Sequence, residues 1–295
     1  MSHFSSAHAI YTSEFGIESP EGMVYSPDTK AFIIWGKNNS EDAILFNNES
    51  SIKINIPQNI GDPLGAAFDE YSNNLFILEN GNTELIKTKI EDGNPPAARF
   101  DIKALRLQDV QGITFDPATG RLFILDAIRQ QILILSPHPV DEFNKVNAVN
   151  NRVSHFSLES LSRSALRGVA FNPSNGHLYI GSPDERKVYE LRETGEKVST
   201  YDISGLHIEN PSLMLFAPSQ DATDDPNIMA LYILDNGQPT KSYSDSIIDQ
   251  RNTSQKGQIV ELSLQAPAAL PPGTNLLPGT LVHTFNTSNV AWNPS

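Results

Sequence analysis

GITFDPATGRLFILDAIRQQILIL, residues 112–135, holds two apolar runs split by a turn, an aspartate closing the second run, and a third apolar run beyond it. Two other stretches follow the same grammar: GAAFDEYSNNLFILENGNTELIKTKI from Gly65 and GVAFNPSNGHLYIGSPDERKVYEL from Gly168. The shared frame is a small residue, an apolar triplet, then Asp, Asn, Ser or Ala, usually ahead of Pro. Outward from Gly112 the frame returns at Gly22 (GMVYSP), Ser212 (SLMLFAP) and Asn289 (NVAWNP). A spacing of about 40–50 residues, with a longer last step, belongs to repeat architectures.

After the first five anchors comes a second run: AFIIW from Ala31, LFILE from Leu75, LFILD from Leu122, LYIGS from Leu178 and LYILD from Leu231. Third runs follow at 43–46, 84–90, 131–135, 187–191 and 258–262. Fourth, more alternating runs lie at 51–56, 98–102, 152–158, 197–203 and 281–285. Short stretches of Ile, Leu, Phe and Tyr between Gly, Asn, Asp and Pro turns predict strands, four to a unit, in an antiparallel meander. Helical spacing is not sustained, apart from a weak turn around 158–166. The first two strands of each unit are apolar on both faces, as strands between neighbours should be, while the fourth alternates as if one face were wet. These features predict an all-β fold: a β-propeller of four-stranded antiparallel blades in one domain over 1–295.

Five blades are complete. The sixth anchor, NVAWNPS at 289–295, has only a first strand, and AIYTSEF at 9–15 fills the slot of a fourth, outer strand. The expectation is therefore an incomplete sixth blade made from both termini. It implies a fragment of a longer protein or an unusual closure. The alternatives are strand pairing with a partner or second copy at that blade, or a ring of five with terminal strands laid on the seam.

GITFDPATGRLFILDAIRQQILIL closely follows P-x-G-V-A-F-D-P-x-G-x-L-Y-V-x-D-x-x-N-x-R-I-x-V, the unit of NHL-type and related six-bladed propellers. From Ile10 onward the chain resembles that superfamily, which implies architecture and no particular activity. A sister group, the calcium-dependent gluconolactonase and senescence-marker propellers, holds a divalent ion at the channel mouth. Its ligands are a Glu in an E-G-P-x-W start and Asn or Asp residues at later anchors. SPEGMVYSP matches the first element, so the resemblance implies Glu21 as a ligand. The third anchor departs from the pattern with Gln111 in VQG, and the fourth places Arg167 in LRG. Asn210 and Asn289 are the other oxygen donors at equivalent points. The mouth candidates are thus Glu21, Leu64, Gln111, Arg167, Asn210 with Pro211, and Asn289 with Ser288. Calcium at Glu21, Asn210 and Asn289 is the one cofactor to consider. A hard cation takes six to eight oxygens, so the bland expectation is Glu21 paired with Arg167 or solvated.

Formal charge is −14, from 35 acids and 21 bases, a field that repels nucleic-acid phosphates and anionic lipid. No stretch approaches the roughly 18 apolar residues of a spanning helix. The N-terminus lacks a basic, then apolar, leader pattern. A soluble protein is expected, secreted or periplasmic if it derives from a longer precursor. The absence of cysteine excludes disulfides and thiolate chemistry. Long loops concentrate in the fifth unit, at 219–227, 236–257 and 265–279. Asp221, Asp224, Asp225, Tyr243 and Arg251 are their binding candidates. Glu79, Asp126 and Asp235 recur at the end of the second strand, where an acid caps backbone N–H groups. The expected function is a non-catalytic binding or scaffolding module of a larger bacterial exported or surface protein, with a protein, glycan or small-molecule ligand. The alternatives are a calcium-dependent lactonase- or esterase-like hydrolase at the channel mouth, and a structural subunit pairing through its incomplete blade.

Overall fold

Turn chemistry sets the first hairpin of the repeats that begin at Gly112 and Gly168. In FDPATGR the Asp116 Oδ1 accepts the Ala118 N–H at 3.0 Å, and the Asp116 carbonyl accepts the Gly120 N–H at 2.8 Å. Asn172 does the same in FNPSNGH, accepting the Ser174 N–H at 2.9 Å. Both are Asx turns with Pro pre-set at the next position. Lys30, Asn73, Gly120 and Gly176 take the left-handed conformation that returns the chain to the second strand.

The computed structural model describes residues 4–36, 42–47, 50–55, 63–69, 72–79, 84–89, 97–137, 152–161, 164–206, 208–220, 228–237 and 257–264. In chain order the strands are β1 Phe4–Tyr11, β2 Pro20–Ser26, β3 Ala31–Gly36, β4 Asp42–Phe46, β5 Ser51–Asn55, β6 Pro63–Asp69, β7 Asn74–Glu79, β8 Glu84–Lys89, β9 Ala98–Asp101 and β10 Val110–Asp116. They continue as β11 Arg121–Asp126, β12 Gln131–Leu135, β13 Val153–Ser157, β14 Arg167–Asn172, β15 His177–Ser182, β16 Lys187–Leu191, β17 Lys197–Asp202, β18 Pro211–Pro218, β19 Met229–Asp235 and β20 Gln258–Leu264. Two 3₁₀ turns, Thr12–Phe15 and Lys103–Leu105, were not foreseen in the sequence. Among the described residues no helix is long and apolar enough to cross a membrane.

Five antiparallel sheets result. Blades 1 to 4 are β2–β5, β6–β9, β10–β13 and β14–β17, each in sequence order. The fifth runs β18-β19-β20-β1. Five separate apolar clusters lie between successive sheets. The first joins blades 1 and 2 through Val24, Ile33, Ala66 and Ile77, and the next joins 2 and 3 through Leu78, Leu85, Ile113 and Leu122. Blades 3 and 4 meet at Phe123, Leu125, Val169 and Ile180, and blades 4 and 5 at Ala170, Tyr179, Met214 and Ile233. The ring closes where Met23, Phe32 and Ile34 of blade 1 pack on Leu213, Tyr232 and Leu234 of blade 5.

An aromatic on the second strand of one blade faces an aromatic on the first strand of the next. Phe76 meets Phe115 at 5.4 Å, Phe123 meets Phe171 at 5.6 Å, and Tyr179 meets Phe216 at 4.8 Å between ring centroids. Such pairs add to the burial term through ring geometry. They explain why the anchors GITFDP and GVAFNP both carry an aromatic.

The expected sixth blade is corrected by this closure. Blade 5 packs directly on blade 1, and their shared core leaves no gap for another sheet. The N-terminal segment is an outer strand, as anticipated, but it belongs to blade 5. β1 pairs antiparallel with β20, with Ala9 opposite Val260 and Ile10 opposite Ile259. Thr12, fully buried, then latches the segment: its N–H donates to the Gly257 carbonyl at 3.0 Å, and its hydroxyl donates to the Ile17 carbonyl at 2.7 Å. The strand expected at 281–285 and the anchor at 289–295 lie outside the described residues.

Candidate functional site

Every inner strand opens with a β-bulge. The pairing slips between Pro20 and Gly22, Pro63 and Gly65, Val110 and Gly112, Arg167 and Val169, and Pro211 and Leu213. A bulge bends the strand and re-aims the side chain at that point, here at one mouth of the axial channel. Glu21 and Gln111 stand at these bulges. In blade 5, Leu213 lies opposite Leu234 as Gly112 lies opposite Leu125. Ser212 therefore occupies the place of Gln111. The sequence frame, which set Ser212 level with Gly112, missed it by one residue.

The acids that end the second strands set this mouth. Asp126 has no exposed surface; its Oδ2 accepts the Gln108 N–H at 3.1 Å and its Oδ1 the Asp109 N–H at 3.2 Å. Asp235, equally buried, accepts the Glu209 N–H at 3.0 Å on Oδ2 and the Asn210 N–H at 2.7 Å on Oδ1. It also accepts the Gly237 N–H at 3.1 Å and the Gln258 Nε2–H at 3.0 Å. The two carboxylates act as buckles, each fixing the segment that enters the inner strand of its own blade. In blade 2, Glu79 instead pairs with Arg99 at 2.9 Å.

Side chains on the buckled segments then meet. The Gln111 Nε2 donates to Asp109 Oδ1 at 2.7 Å, and the Ser212 hydroxyl donates to Asn236 Oδ1 at 2.8 Å. Arg167 of blade 4 reaches across to blade 5, its Nη1 donating to Asn210 Oδ1 at 3.0 Å. No carboxylate of the described residues comes within 4.0 Å of its guanidinium. Glu21 is half-buried and engaged elsewhere in the structure.

Glu21 and Asn210, the described members of the expected set, do not make a calcium cage between them. The Asn210 oxygen faces a guanidinium, whose charge opposes a cation at that point. Among the described residues no three His, Asp or Glu side chains converge. Asn289 lies outside the described residues, as do Ser288 and the loop candidates Asp221, Asp224, Asp225, Tyr243 and Arg251.

The other end of the channel has a different chemistry. A cavity of about 240 Å³ lies among all five inner strands and the turns that follow them. Its wall includes Val24, Ala66, Ile113, Phe115, Phe171 and Met214, with Pro27, Pro117, Pro173 and Pro218 at the turns. Thr114 is among the lining polar groups, and its Oγ1 already accepts the Phe171 N–H at 3.0 Å. This bond caps an inner-edge donor of one blade from the next. Neither the cavity nor the Ser212 position was legible in the sequence, because both arise from how inner strands converge on the axis.

A second polar cluster lies away from the axis. Glu190, 6% exposed, accepts the Tyr201 hydroxyl at 2.9 Å and sits 2.7 Å from His177 Nδ1. Burial, then the Glu190 charge, pushes the Tyr201 phenol up to about 12. Tyr179 is the residue opposite Glu190 in the strand pairing, and the same arrangement recurs in blade 5 as Tyr232 opposite Glu261. None of these groups lines the cavity, and the recurrence marks the pair as part of blade architecture.

No family model matches this chain, and no curated protein matches it. Solved structures do. The calcium-binding protein regucalcin from Agrobacterium tumefaciens superposes with a TM-score of 0.52 at 11% identity, covering 89% of this chain and 96% of its own. A luciferin-regenerating enzyme gives 0.50 at 10% identity, covering 88% and 95%. The chain is thus a β-propeller with the fold of these proteins, and at such identity the likeness is one of fold.

Proposed function

We propose that this chain is a non-catalytic binding propeller that takes a small apolar or aromatic group into the channel end bounded by the four turn prolines. The observation that carries this is the cavity itself. Its volume of about 240 Å³ is below the several hundred Å³ of typical drug-sized sites. It suits one aromatic ring or branched aliphatic group, borne by a larger ligand or a partner's side chain. The wall favours that occupant: Val, Ala, Ile, Phe, Met and Pro side chains supply dispersion contact and little to compete for. Among the described residues the lining includes no carboxylate, imidazole or amine to move a proton, which favours binding over turnover.

The test is titration of the isotope-labelled chain with indole, following the methyls of Met23, Ile113 and Met214. Saturable shifts in the wild type, abolished by the cavity-filling Ala66→Phe, are expected. A wild-type chain whose channel methyls do not respond would overturn the reading. So would turnover of a small lactone or ester that the same substitution removes.

A further inference from the structure

We infer that Arg167 and Asn210 form the base of a carboxylate-binding site at the polar mouth of the channel, suited to a small monocarboxylate. This site lies at the opposite end of the inner strands from the apolar cavity and does not depend on that reading.

The argument begins with an electrostatic anomaly. The chain carries an excess of acid, at −14, and Arg121, another half-buried arginine, illustrates the usual outcome. Arg121 makes a two-pronged pair with Glu193, both contacts at 2.7 Å, and a third with Asp116 at 2.9 Å. Arg167 is also half-buried, yet its partner is a neutral amide oxygen, and no carboxylate of the described residues approaches it. A guanidinium offers five N–H donors in a planar fork. The bond to Asn210 uses one.

The group is also held in place. Asn210 accepts from Arg167 through its side chain while its own backbone N–H is fixed by Asp235 Oδ1 at 2.7 Å. Asp235 is in turn pinned by Glu209, Gly237 and Gln258. Arg167 therefore stands on a half-buried amide whose backbone is tied to a fully buried, fully engaged carboxylate, which is how a recognition group is pre-organised and not how a solvated surface arginine behaves. Gly168, the next residue, is in the left-handed region at φ 71°, and the space a Cβ would take there is bounded by Met214 Cγ at 3.0 Å and the Ser212 carbonyl at 3.4 Å. The Ser212 segment of blade 5 is thus brought against the Arg167 segment of blade 4.

The chemistry of the ligand follows from the neighbours. A planar fork matches the two oxygens of a carboxylate. The other polar groups at the same level include the neutral Gln111 and Ser212, while the acids there, Glu21 and the Asp109 that holds Gln111, weigh against any ligand with more than one negative charge. A phosphate dianion would bring a second charge into a molecule that is already strongly acidic.

The experiment is an NMR titration of the full chain with sodium acetate, and separately with sodium phosphate, at fixed ionic strength. Acetate is expected to give saturable shifts at the amides of Gly168, Asn210 and Ser212, with phosphate much weaker. Arg167→Gln should weaken acetate about tenfold or more, the scale of losing charge-assisted bonds. Arg167→Lys keeps the charge without the fork and should weaken it several-fold, which maintains the test if the glutamine variant folds poorly. Arg192→Gln, at an exposed residue just past the end of β16 farthest from the mouth, should leave binding unchanged. No saturable shift, equal acetate affinity in Arg167→Gln or Arg167→Lys, or equal binding of phosphate would overturn the assignment. A variant that lost only stability would reduce Arg167 to a clasp between blades 4 and 5 and would overturn it as well.

Discussion

Tyr201 shows how a single buried group ties this fold to pH. Its phenol donates to Glu190 at 2.9 Å, and burial first, then that carboxylate, raises it to about 12. An unfolded tyrosine titrates near ~10. The folded state thus favours the protonated phenol. Its contribution is complete below pH ~10 and is lost as pH rises through about 12. Tyr179 and Tyr232 move in the same direction, with burial again the first cause. The unfolding free energy from denaturant titration should therefore fall steeply between pH 10 and 12, by up to about 1.4 kcal/mol per pH unit for each such tyrosine. Tyr201→Phe should cost roughly 1–2 kcal/mol at pH 8, where Glu190 loses a donor, and should flatten the alkaline slope by one tyrosine's share. Identical slopes in the two proteins would show that Tyr201 takes no part. These Tyr–Glu pairs escape inspection of the sequence. A Glu in KVYEL or QIVEL looks like the wet side of an alternating strand, whereas between blades both faces are buried.

At the level of the strand, the repeated small residue at the anchor has a steric cause. Inner strands of adjacent blades converge on the axis, and at Gly112 a Cβ would stand 3.0 Å from the Val169 backbone nitrogen. Gly168 combines the same crowding with φ 71°, while Gly176, in an Asx turn at the same φ, has nothing within 4 Å. The comparison separates backbone strain from crowding. Gly176→Ala should cost about 1–2 kcal/mol, the price of a left-handed alanine. Gly168→Ala should cost about 2–4 kcal/mol, because an overpacked inter-blade contact is added. Equal losses in urea denaturation would remove crowding from the explanation. The anchors themselves were plain in the sequence, since turn residues and a short apolar triplet have strict local requirements. The register of blade 5 was less so. Its first strand carries one more residue between bulge and turn, and Ser212, small like the glycines, invited the wrong alignment.

For the molecule as a whole, stability rests on closing the ring, and the closing strand has a weak local signature. FSSAHAIY is rich in Ser, Ala and His, and its apolar contribution to the seam is chiefly Ile10. Its pairing is set by the partner it meets, the free outer edge of β20, and such a long-range choice leaves little trace in eight residues. The blade count was misjudged for that reason: the strand's role was legible, its address was not. The direct packing of Phe32 on Tyr232, with ring centroids 4.6 Å apart, then decides that five sheets fill the circle. A chain beginning at Thr12 tests this closure. Without β1, the N–H and C=O groups along β20 are bare, and an uncovered edge recruits another strand. The shortened chain should unfold at lower urea and elute as dimers or larger species in size-exclusion chromatography. A synthetic peptide of residues 1–11 should restore both the midpoint and the elution volume of the full chain by adding back the missing strand. A shortened chain with the elution volume and midpoint of the full chain would mean that the seam between blades 1 and 5 holds the ring without a latch.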